Sequence, residues 1–183
     1  MKLRTLALSS TALVLAGAAG FTAARALQEN MPVAEPTEMH KWLRSHVGTW
    51  DAECTMMGET SKGTWKVAEG PGELWNVAHF EGEMGGMPFT GMELSGYDSA
   101  AQEFVQVWVD STSTSMSIGR GTYDKAAKKL VMTGESVGTD GKPATMKHVT
   151  EFPDADHMNF TMSTPGPDGG DMEIMSIKYT RRK

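Results

Sequence analysis

The sequence predicts an all-β domain, a single antiparallel up-and-down β-barrel of about ten strands preceded by one short α-helix. Three observations carry that expectation. From Gly48 onward, β-branched and aromatic residues alternate with polar ones in short runs. Turn residues break the runs at Gly70-Pro71-Gly72, Gly85-Gly86, Asp98-Ser99, Asp124-Lys125, Asp140-Gly141, Pro153-Asp154 and Pro165 to Gly170. No gap between runs has room for the crossover helix that a parallel sheet requires, so neighbouring strands must run antiparallel. Closure of the sheet also removes its exposed edges, which matters because Cys54 is the only cysteine and no intramolecular disulfide can brace the fold.

The first 26 residues have the three parts of a secretory signal. Lys2 and Arg4 give the positive start, Leu6 to Phe21 carry no charge, and Ala24-Arg25-Ala26 offers a small-x-small cleavage site. A retained membrane anchor is the alternative, but the uncharged run is shorter than the ~20 apolar residues that span a bilayer. No Cys follows the run, which argues against a lipid-modified N-terminus. The expected location is therefore periplasmic or secreted after cleavage near Ala26, with no stable membrane insertion. Cleavage takes the formal charge from −6 to −9, because Lys2, Arg4 and Arg25 leave with no acid. Beyond Arg181-Arg182-Lys183 there is no basic cluster, so no nucleic-acid partner is expected. The remaining 157 residues suit one domain.

Residues 27–36 hold two prolines and two acids without periodicity and read as a flexible linker to a domain spanning 37–183. Thr37 can cap a helix with Glu38 in its first turn; Met39, Trp42, Leu43, His46 and Val47 make an apolar stripe, and Gly48 offers a stop. Strands follow at about Thr49–Met57, Gly63–Ala68, Glu73–Gly82, Phe89–Tyr97, Phe104–Asp110, Ser115–Tyr123, Lys129–Ser136, Thr145–Phe152, His157–Ser163 and Met172–Arg181. Gly96-Tyr97-Asp98 is echoed by Gly121-Thr122-Tyr123-Asp124, which reads as two similar hairpin corners. Cys54 is expected to be buried as a small apolar side chain.

A short helix running into Gly48-Thr49-Trp50 resembles the G-x-W opening of the calycin superfamily, the lipocalins and their relatives. The resemblance implies that Trp50 closes the bottom of the barrel beneath an arginine of the last strand, Arg181 by position, with Arg182 as the other candidate. More specifically, residues 37–182 resemble the bacterial family catalogued as domain of unknown function 1579. The matching stretches are Leu43 to Trp50, Gly82 to Phe89, Gly96-Tyr97-Asp98, Trp108-Val109-Asp110-Ser111 and Gly121-Thr122-Tyr123-Asp124. What that resemblance implies is a fold, with no activity attached.

A barrel of this size can enclose one small ligand, so polar residues on otherwise apolar strand faces are the places to look. Phe104, Gln106, Trp108 and Asp110 share one face, assigned to the interior, with Asp110 near the mouth; the competing role for Asp110 is to cap the following turn. Arg120 shares a stripe with Met116 and Ile118, and is either an inward counter-charge or a solvated side chain. His79 lies on a stripe with Trp75 and Val77, and His148 on one with Met146 and Thr150; either histidine can equally be a core residue. The candidate ligand-binding set is thus Trp75, His79, Trp108, Asp110, Met116, Arg120, Met146 and His148. After Met1, fourteen methionines remain, and those in strands suit an adaptable lining for an apolar molecule. Met84-Gly85-Gly86-Met87 is the best thioether pair for Cu(I) but lacks a nearby His or Cys and reads as a loop over the mouth.

No G-x-S-x-G, P-loop, H-E-x-x-H or zinc spacing occurs, so no catalytic residue, cofactor or metal is assigned. The expected function is an exported barrel that binds or carries a small hydrophobic molecule. One alternative is a small hydrolase or isomerase-like enzyme using Asp110 with His79 or His148, for which carboxylate and imidazole must converge within hydrogen-bond reach. Another is an interaction domain with a filled barrel and a large exposed apolar patch. The oligomeric state is left open by the sequence.

Overall fold

The computed structural model describes residues 34–137 and 141–183. The expected signal peptide, and the linker up to residue 33, lie outside the described residues.

Thr37 opens helix α1 (Glu38–Arg44): its backbone N–H donates to His40 Nδ1 at 3.0 Å. The apolar stripe predicts a helix reaching Val47, yet it ends three residues earlier. The carbonyls of Ser45, His46 and Val47 accept instead from Arg181 Nη2 (2.7 Å), Trp50 Nε1 (3.0 Å) and Arg181 Nη1 (2.9 Å). Side chains of the barrel thus satisfy the orphan carbonyls that another helical turn would have needed.

Ten strands follow: β1 (Gly48–Met56), β2 (Glu59–Glu69), β3 (Trp75–Met84), β4 (Met87–Asp98), β5 (Glu103–Asp110), β6 (Ser117–Asp124), β7 (Lys129–Val137), β8 (Pro143–Glu151), β9 (His157–Pro165) and β10 (Asp171–Arg181). Each pairs with the strand before it, and β10 pairs with β1, which makes a closed antiparallel up-and-down barrel. Closure runs from Trp50 opposite Arg181 to Met56 opposite Met175. The largest boundary difference from expectation is at β2, which starts at Glu59 rather than Gly63. Met57 (φ 52°) and Gly58 (φ 85°) supply the two consecutive positive φ values of a tight two-residue hairpin, which lets pairing begin at once.

The echoed segments do form matching corners. Asp98 Oδ1 accepts from the N–H groups of Ala100 and Ala101, and Asp124 Oδ1 from those of Ala126 and Ala127. In each corner the preceding tyrosine grips α1. Trp42 stacks on Tyr123 at 4.1 Å, and His40 meets Tyr97 edge-on at 5.6 Å. Leu43 is buried beside Phe104 and Met132, so the helix closes one end of the barrel, its base. The mouth is the opposite end, bounded by turns such as 57–58 and 85–86 and by the 111–116 loop.

Candidate functional site in the barrel lumen

The floor of the lumen is built by the first and last strands. Trp50 is fully buried, with the Arg181 guanidinium carbon 4.1 Å from the centre of its ring. Arg181 Nε also donates to Ala155 O at 3.1 Å, so one side chain ties α1's exit, β1 and the turn before β9 together. Gly48 has φ +143°, and a Cβ there would lie 2.8 Å from Arg181 Nη1. The Gly and the Trp of the opening triplet thus both serve the arginine. Arg182 points elsewhere, pairing with Asp51 on the outer wall. His46, wedged between Trp42 and Phe152, is pushed down to a pKa of about 4, chiefly because burial disfavours its charged form.

Strand register decides which side chains face inward. Tyr97 lies opposite Phe104, Ser95 opposite Gln106, Glu93 opposite Trp108 and Gly91 opposite Asp110, so these residues share the inner wall. Gln106 Nε2 donates to Glu93 Oε2 at 2.7 Å, and Ser95 also bonds this carboxyl. Glu93 is half-buried, and desolvation raises its pKa despite those two bonds. Across the lumen, burial and the Glu93 charge push the Tyr179 hydroxyl above its ordinary range, so it stays protonated. Cys54 is buried as expected, and burial raises its pKa too.

Towards the mouth, the wall formed by β6, β7 and β8 has little side-chain bulk. Its inward positions include Ser117, Gly119, Ser136 and Ala144, with Met146 and His148 farther along β8. A Cβ on Gly119 would meet nothing closer than Met132 Cε at 3.7 Å, with Gln106 Oε1 at 4.0 Å. His148 Nε2 is buried without a partner, and burial lowers the pKa of this ring. On the flanking strands β4, β5, β9 and β10, Glu93, Gln106, Trp108, Phe160, Met162, Met175 and Tyr179 point inward, each keeping part of its surface accessible. At the mouth, Trp108 Nε1 donates to Asp110 Oδ2 (2.9 Å), while Asp110 Oδ1 accepts from Thr112 N and Oγ1.

The expected site residues separate by face. Trp108, Asp110, Met146 and His148 face the lumen. Trp75, His79, Met116 and Arg120 do not, which corrects their assignment to its lining. On β3 the inward set is Asn76, Ala78 and Phe80, all buried, and Asn76 Nδ2 is anchored to Leu43 O at 2.9 Å; Trp75 and His79 therefore point outward. Trp75 covers Gly96 on the outer wall. On β6 the glycines take the inner face, leaving Arg120 outside near Asp98 (3.7 Å) and Glu103 (4.0 Å), and Met116 exposed ahead of the strand.

The acid–base pair also fails. His79 is outside, and both oxygens of Asp110 are held by Trp108 and Thr112, with His148 Nε2 unpartnered. Asp110 is thus both an inward residue and the cap of its turn. Among the described residues, no three of His, Cys, Asp and Glu gather as metal ligands.

Sequence reasoning missed Glu93, Ser95 and Tyr179 as lumen residues. The stretch Met92-Glu93-Leu94-Ser95 suggests that its apolar members face in, and the opposite holds: Met92 and Leu94 are exposed on the outer wall. The signal that identifies the inner face lies two strands away, in the glycines of β6 that register through Gln106 to Ser95.

Two solved structures share this architecture. Rv2717c from M. tuberculosis is 10% identical, with 81% of this chain and all of that one aligned at a TM-score of 0.58. The S-type phycobiliprotein lyase CPES from Guillardia theta is also 10% identical, with 83% of this chain and 99% of that one aligned at 0.50. None of the curated proteins matches the sequence. Residues 35–181 match the family model described as protein of unknown function (DUF1579), and the chain belongs to that family.

Proposed function

We infer that this barrel binds or carries a small, mainly apolar molecule in its lumen. The observation that supports this best is the mismatch between the two walls. Ser117, Gly119, Ser136 and Ala144 contribute almost no volume, and the larger residues on the strands that flank them retain accessible surface. A well-packed interior would leave neither, because protein cores fill to crystalline density. Apolar lining with a few convergent polar groups is the usual character of a small-molecule site. The floor of Trp50 under Arg181 fits the calycin kinship that Gly48-Thr49-Trp50 suggests, and barrels of about this strand number hold one small ligand. The chromophore-protein lyase among the structural neighbours shares the fold, which supports a pocket and not a reaction. The N-terminal pattern from Lys2 to Ala26 supports export, and we place the mature protein in the periplasm or outside the cell.

Titration with N-phenyl-1-naphthylamine tests the reading. Saturable enhancement at one probe per chain is the expected result, with energy transfer from Trp108 and from Trp65, which lies opposite Trp50 on the inner face of β2. No enhancement, or unsaturable binding without transfer, would count against it. Native mass spectrometry of protein recovered from the periplasm then identifies the molecule carried.

A further inference from the structure

The lumen has an uneven charge inventory. Midway along the inner wall the carboxyl is that of Glu93, half-buried, and the groups that hold it are the neutral Gln106 amide and Ser95 hydroxyl. No Lys or Arg pairs with it among the described residues. The arginine nearest the interior, Arg181, is committed to three backbone carbonyls and to the Trp50 ring at the floor. The next acid along the inner wall is Asp110 at the mouth. An anionic ligand would therefore pass one carboxylate and end beside another. A cation would find both favourable, and would relieve the cost of a partly desolvated carboxyl that has no counter-ion.

The hydrogen-bonding geometry points the same way. Gln106 gives its Nε2 to Glu93, which leaves its Oε1, an acceptor, at the thin wall, 4.0 Å from where a Gly119 Cβ would stand. Glu93 Oε2 accepts one bond from Gln106, and the carboxyl keeps further lone pairs. His148, on the sparsely filled side, is kept neutral by burial and has Nε2 without a partner. The unfilled acceptor capacity around the gap matches a group with several N–H donors and no acceptor, which is what an ammonium is.

Resting on the reading of the lumen as a ligand site, we propose that its ligand is a lipophilic amine, whose ammonium pairs with Glu93 and Gln106 Oε1 while its hydrocarbon part lies against Trp108, Phe160, Met162 and Met146. Glu93 selects the head group, and the apolar walls supply most of the affinity. Binding lowers the Glu93 pKa that desolvation raises, because a cation beside a carboxyl favours its charged form.

The test compares decylamine, decanol and decanoate on the purified full chain at pH 7.5, read by tryptophan fluorescence. Decylamine should bind about tenfold or more tightly than either partner of equal chain length. Glu93→Gln, which keeps shape and hydrogen bonding, should bring decylamine down to the level of decanol and leave decanol within about twofold of wild type. In the wild-type protein, the preference for the amine should also fade as pH drops through the protonation of Glu93, which provides the same readout without a variant. Equal or tighter binding of decanoate, or a preference that survives Glu93→Gln, would overturn the assignment while decanol binding left the lumen reading intact. Failure of all three probes to bind would sink the lumen reading and this one with it.

Discussion

Arg181 holds more of the fold together than any other single charge. Its planar guanidinium spans three carbonyls while its Cζ lies over the Trp50 ring, a combination that a lysine ammonium cannot reproduce. Arg181→Ala loses the cation–π contact and leaves the carbonyls of Ser45 and Val47 short of donors, so we expect a cost of about 2–4 kcal/mol in urea unfolding. Arg181→Lys should recover less than half of that. Gly48→Ala should also destabilise, through its positive φ and the encounter with Arg181 Nη1. His46 makes a prediction in pH. Its folded pKa of about 4 lies below the unfolded value near 6.5, so the unfolded chain binds the proton first. Its stabilising effect is complete above about pH 6.5 and is lost as pH falls towards 4, up to about 3 kcal/mol in all. Burial of His148 acts in the same direction. Unfolding free energies measured between pH 7.5 and 4 should fall less steeply in His46→Gln than in wild type, and equal slopes would contradict the account.

At the scale of the element, this barrel inverts the simplest hydrophobic pattern over part of its wall. Leu94, Val107 and Ile118 sit side by side in register on the outside of β4, β5 and β6, while Ser95, Gln106 and Gly119 lie side by side inside. Ile118→Thr and Leu94→Thr should therefore each cost no more than about 0.5 kcal/mol, as ordinary surface changes do. Met132→Ala, at a buried inward site, should cost about 2–5 kcal/mol. Equal losses at the two kinds of site would show the faces to be wrongly assigned.

The same inversion explains what could be read from the sequence. Helix, strand number, most turns and the two Tyr-Asp corners were legible from local chemistry, the 57–58 hairpin was not, and the floor pair Trp50 and Arg181 followed from the resemblance that Gly48-Thr49-Trp50 carries. The inner face of β5 was legible as well, because Trp108 and Phe104 mark it. The faces of β3 and β6 were not. On both, the inner positions belong to small or polar residues such as Asn76, Ala78, Gly119 and Gly121, and only pairing across strands shows that curvature and space, rather than hydropathy, placed them there.

For the molecule as a whole, the fold is a barrel closed at the base, and the proposed function requires space on one side of its interior. α1 and the Trp50–Arg181 stack shut one end, so the proposed ligand would enter from the mouth past Trp108 and Asp110. Gly119→Leu probes the empty side most directly, since the first atom of the new side chain meets only ordinary contacts and the rest must go into the lumen. If the space is there, the variant should unfold at the same or a higher urea concentration than wild type and should no longer enhance N-phenyl-1-naphthylamine fluorescence. If the barrel is packed solid, the extra methylenes should destabilise it by about 1–3 kcal/mol, and that result would contradict the central claim.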